Sequence, residues 1–187
     1  MVKSSPRDVF LHLLTVVALY FCAFNFVTLV FKLVETAFPD PLNQYYDFGS
    51  AVRWSIAALV IIFPVYLWVS RFLYRDTAAN PEKAELKIRK WLLYFTLFVA
   101  AVLIIGDLVA LIFNFLEGEL TVRFLLKILT ILAVAVSVFG FYFYELKRKP
   151  AAFSPRAKLF VWVVIAMVMV MVIAGFFIAG SPFKQRQ

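Results

Sequence analysis

Any chemistry in this sequence has to start from Asp107. It falls near the middle of an apolar run, residues 91–116, about ten residues from that run's second end. If the run crosses a bilayer, Asp107 lies roughly 15 Å deep. An ionisable group at that depth is costly and is by default a functional hypothesis. A small polar set accompanies it. Asn114 follows one i+7 step later and shares its helical face. Asn25 sits deep in an earlier apolar run, and Arg53, Arg123 and Lys127 lie at the starts of two others. Two chemistries fit these types and spacings. One is an outward-opening polar cavity in which Asp107 binds a cation or relays protons. The other is a purely structural carboxyl, either paired with Lys127 or Arg53 or held protonated, that fixes how the segments meet. The pair is the favoured expectation, because two bases approach the same depth where acids are few.

The remaining reactive residue types point away from enzyme chemistry. His12 is the only histidine, so one chain cannot supply a bis-histidine haem or a usual zinc ligand set. It reads as a polar residue at a membrane surface. Cys22 is the only cysteine, which excludes an intrachain disulfide and a CxxC redox pair. Preceded by bulky Phe21, it does not fit a lipoprotein processing site and reads as a small inert core residue. The sequence has no HExxH, GxSxG or glycine-rich phosphate loop. Arg123 and Lys127 share a segment, but two bases at one end read as interface anchors rather than as a voltage sensor. The expectation is a non-enzymatic protein with no cofactor and no metal.

The elements that position these residues follow from composition. Hydrophobic residues make up 64% of the 187 positions and charged residues 16%, against roughly 45–50% and 25% in soluble domains. Apolar runs of about 20 residues predict membrane helices rather than the alternating segments of a barrel. Five runs stand out, at 9–34, 51–72, 91–116, 121–144 and 159–180. The fold class expected is therefore an all-α integral membrane protein with five transmembrane helices. Helices over 9–72 and 91–144 would form two hairpins of a four-helix domain, residues 1–149. A fifth helix and a short outer tail follow at 150–187.

Net charge is +8, but the bases cluster at segment ends, with no basic stripe interleaved with aromatics, so nucleic acid is not expected as a partner. The positive-inside rule predicts a cytoplasmic N-terminus and an outer C-terminus. In that orientation Lys32, Arg53, Arg123, Lys127, Lys184 and Arg186 fall on the outer half, and the other thirteen of the 19 basic residues fall inside. The outer stretch 35–50 carries Glu35, Asp40 and Asp47 and no base. The inner bases would meet anionic lipid head groups.

Three segments begin with a capping residue and proline, at Ser5-Pro6, Asn80-Pro81 and Ser154-Pro155. This predicts that the third helix starts near Pro81, with a Glu85–Arg89 pair one turn apart. The text of 25–35 aligns without gaps to 107–117, matching Val27 to Val109, Leu29 to Leu111, Phe31 to Phe113 and Glu35 to Glu117. A parallel repeat of the two hairpins is the corresponding expectation, with Asn25 opposite Asp107. Pro64 is expected to kink the second helix. The charge-free fifth segment is expected to face lipid or a partner, with its methionines as gap-fillers.

The motifs PRDVFLHLL (6–14), FPDPL (38–42), VRWSIA (52–57), FPVYLW (63–68), NPEKAELKIRKWLLY (80–94) and IGDL (105–108) resemble an uncharacterised family of bacterial multi-pass membrane proteins with about four spans. The resemblance covers residues 5–149. It implies a bacterial inner membrane and supplies no activity, cofactor or catalytic residue. The function expected is that of a small subunit or interaction partner in a membrane complex, with a membrane protein or a second copy as partner. The alternative is a channel or transporter built around Asp107.

Overall fold

The structure, a computed structural model, describes residues 5–38, 48–118, 120–147 and 155–179. Five α-helices carry the chain: α1 Pro6–Ala37, α2 Phe48–Ala79, α3 Lys87–Leu116, α4 Val122–Lys147 and α5 Pro155–Ala179. A short 3-10 turn, Pro81–Glu85, joins α2 to α3. There is no strand among the described residues. All five helices are long and apolar enough to cross a membrane. Such helices close their own backbone bonds, as a hydrocarbon medium requires. Seven polar side chains follow the same rule. Thr15, Asn25, Thr28, Thr36, Thr77, Asn114 and Thr130 each donate to the carbonyl four residues earlier in their own helix.

Helices α1 and α2 have 32 residues each, about 48 Å at 1.5 Å per residue. That exceeds the roughly 30 Å hydrocarbon layer, so surplus turns must tilt or project beyond it. Three cross-helix contacts set the alternating course of α1 to α4. The start of α1 meets the end of α2, the start of α3 meets the end of α4, and the end of α1 meets the start of α4. Phe160, early in α5, stacks on Phe141, late in α4, so α5 runs antiparallel to α4. We call the end where α1 begins the near end, and the other the far end.

Helix α1 is the hub. It packs mainly on α2 and also touches α3, α4 and α5, while α3 packs mainly on α4. The two expected hairpins are thus formed, in unequal surroundings: α1 closely approaches α4, whereas α2 and α3 make no close backbone approach among the described residues. The main core joins Phe26 and Leu29 of α1, Val52, Ile56, Leu59 and Phe63 of α2, and Val168 and Val172 of α5. Gly175 seats the far half of α5. A Cβ there would stand 3.0 Å from both Leu29 Cδ1 and Ile56 Cδ1. A smaller cluster of Leu93, Leu97 and Tyr142 holds α3 to α4.

Two local expectations are corrected. Asn80-Pro81 opens the 3-10 turn rather than α3, and α3 starts at Lys87 after a break at Leu86. Leu86 is 2% exposed, and its non-helical backbone (φ −56, ψ 126) separates the 3-10 turn from α3. The expected Glu85–Arg89 pair therefore does not form, and Glu85 binds Lys90 instead. Ser5 precedes proline at the start of α1 but caps with its backbone carbonyl, which accepts from the Asp8 and Val9 amides. Ser154, Asp40, Asp47, Lys184 and Arg186 lie outside the described residues. Helix α2 continues through Pro64 to Ala79.

Candidate functional site

Because α1 extends to Ala37, Glu35 is still helical and projects at the far end rather than in a loop. Its carboxylate accepts from Lys32 Nζ at 2.8 Å, one turn back, and from Lys127 Nζ of α4 at 2.6 Å. The Lys127 ammonium also stands 5.3 Å from the Phe31 ring centroid. This overturns the expected Asp107–Lys127 pair. Side chains lean toward their helix's own start, which carries Lys127 toward the far end, where Glu35 is waiting.

The near end holds a second lock. Lys83, in the 3-10 turn, donates to Asp76 Oδ2 at 2.6 Å and to Asp8 Oδ1 at 3.4 Å. Arg7 stands 3.9 Å from Asp8 and 3.8 Å from Asp76. Asp8 is 4% exposed, so it needs these cations. His12 closes the set by pairing its Nδ1 with the Asp8 carbonyl at 2.8 Å. The Asp76 carboxylate holds the Lys83 ammonium above its ordinary pKa. Beside this lock, Arg89 of α3 donates to Glu145 of α4 at 2.8 Å. Sequence reasoning did not single out Asp8, Asp76 or Glu145. For Asp76 and Glu145 the signal was position: each is an acid in the last turns of a helix whose neighbour begins with a base.

The expected polar cluster does not assemble around Asp107. Its carboxyl is 6% exposed and makes no hydrogen bond or ion pair among the described residues, and Oδ2 is fully enclosed. Asn25 and Asn114 are satisfied on their own helices. Arg53 is exposed and Arg123 half-buried, and neither forms an ion pair with Asp107. An unpaired carboxylate in an apolar interior is costly enough that the neutral acid is the lower-energy occupant.

A cavity lies elsewhere. It has a volume of about 150 Å³ and is bounded by α1, α2, α4 and α5, with Cys22, Phe63, Tyr66, Ser137, Phe141 and Val164 on its wall. It is partly open, and two of its walls, α4 and α5, make no backbone approach to each other among the described residues. Asp107 is not on its wall. Its lining is almost wholly apolar, so it suits an apolar guest rather than an ion.

No group of three or more acidic, histidine or cysteine side chains fit for a metal occurs among the described residues. No curated protein and no solved structure matches the chain at a significant level. Residues 8–142, from the near-end acid of α1 to Tyr142 of α4, match a family described as a domain of unknown function, DUF5671. With most of its length matched, from the start of α1 into the last turns of α4, the chain belongs to that family.

Proposed function

We propose that the chain is a non-enzymatic subunit of a membrane complex, set in a bacterial inner membrane with its N-terminus in the cytoplasm and its C-terminus outside. The near end carries Arg7, Arg71, Arg75, Lys83, Lys87, Arg89, Lys90 and Lys147, against Lys32, Arg53, Arg123 and Lys127 at the far end. That bias supports near end inside. The acids at both ends are used to tie helices together, which suits a scaffold.

The observation that carries the partner reading is a pair of glycines. Gly106 of α3 and Gly140 of α4 are exposed, with nothing within 4 Å of where a Cβ would stand. A mid-helix glycine costs about 1 kcal/mol relative to alanine, and neither position recovers this inside the chain. Small residues on membrane helices let a second helix approach closely. Photo-crosslinkers placed at Leu103 and Val136, exposed near these glycines, should capture a membrane protein or a second copy in native membranes. Capture of lipid alone at both sites would remove the reading. A reporter active only in the cytoplasm should be silent when fused after Gln187, and activity there would reverse the topology.

A further inference from the structure

From the cavity and the bases above it, we infer that the chain binds one anionic phospholipid, with an acyl chain between α2, α4 and α5 and its head group on Arg71 and Arg75. The inference goes beyond the partner reading and does not depend on it. The cavity is partly open and lies between helices long enough to span a membrane, where acyl chains are the surrounding medium. A space of about 150 Å³ with an almost wholly apolar lining takes an apolar guest, here a segment of one acyl chain rather than its full length. Its wall offers aromatic and aliphatic surface, with the two phenols of Tyr66 and Tyr142 set on the near-end side of α2 and α4.

Charge selects the head group. On α2 the cavity wall runs through Phe63, Tyr66 and Leu67. Arg71 and Arg75 continue from Leu67 at i+4 and i+8, about 6 and 12 Å closer to the near end. Both are exposed, and neither makes an ion pair or hydrogen bond among the described residues. Their side chains lean back along α2, toward the depth of the cavity and on the exposed side of the helix. The acids nearby are already neutralised, Asp76 by Lys83 and Glu145 by Arg89. Lys147, on the last turn of α4, adds a further positive charge over the Phe143 ring at 4.2 Å. An apolar slot below a rim of unpaired cations matches one tail and a phosphate.

The test is native mass spectrometry of the full chain in mild detergent, with phosphatidylglycerol and phosphatidylethanolamine of identical acyl chains. The wild type should retain one phosphatidylglycerol per chain in preference to phosphatidylethanolamine. R71Q/R75Q, on the exposed side of α2, should cut phosphatidylglycerol retention by roughly thirtyfold, about fivefold for each arginine. It should leave the weaker phosphatidylethanolamine signal unchanged. Filling the slot with V164W should remove both lipids, and S137F, from the opposite wall, serves if V164W does not fold. Equal retention of the two lipids by wild type, or lipid binding unaltered by both the arginine and the filling variants, would overturn the inference.

Discussion

The α1–α2–α5 half and the α3–α4 half of the bundle treat glycine in opposite ways. In the first, the missing Cβ of Gly175 is occupied by Leu29 and Ile56, and ten buried side chains form a continuous core around it. In the second, Gly106 and Gly140 face open space, and the buried cluster has three members. The same residue is a fitted joint on one side and an unused indentation on the other. In a bilayer, helix association rests on close van der Waals approach rather than on escape from water. On the proposed partner reading, the half with unused indentations is the one that receives another helix.

Gly175→Leu should break the comparison most strongly. With two methyl groups 3.0 Å from its first side-chain carbon, a leucine should cost about 3 kcal/mol through overpacking. Gly140→Leu, with open space, should leave the melting temperature of the isolated chain unchanged or raised. Equal losses from the two variants would show that the halves do not differ.

The two ionic locks provide the next contrast. Lys83→Met strands buried Asp8 and should destabilise by about 3 kcal/mol, the low end for a broken buried pair because Arg7 stays within reach. Lys127→Met, at the more exposed far-end pair, should cost about 1–2 kcal/mol. The near-end lock also has a pH signature. The Lys83 pKa is raised in the folded chain, so its contribution is complete below its ordinary value of 10.5 and fades as pH rises through the higher folded value. Denaturation curves from neutral to strongly alkaline pH should show this loss in wild type and not in Lys83→Met.

Asp107 has the smallest expected effect. As a neutral acid without a partner, it should tolerate Asp107→Leu with stability unchanged or improved by about 1 kcal/mol. A loss of several kcal/mol would mean that the carboxyl has a partner after all.

The spans were legible because about 20 apolar residues in a row admit one structure in hydrocarbon. Their ends were less so. The first apolar run stops at Val34, which made Glu35 look like a loop acid, whereas one further helical turn turns it into the partner of Lys127. Asn80-Pro81 carries a genuine start signal, but burial of Leu86 overrides it and breaks the helix before Lys87. In the sequence Asn114 shares a helical face with Asp107, and Asn25 shares its depth. Hydrogen bonds to their own backbone keep the two asparagines from forming a shared site. The cavity depends on how far α4 stands from α5, a distance that no residue pattern encodes.

The most direct measurement is the mass of the protein assembly extracted from native membranes in mild detergent, by light scattering with the detergent contribution subtracted. Partner binding on the α3–α4 face predicts that the wild type has a mass well above the 21.5 kDa of one chain. The doubly substituted Gly106→Leu, Gly140→Leu chain should return to a stable, folded 21.5 kDa monomer. A wild type that is already monomeric, or a double variant that keeps the full assembly mass, would contradict the account.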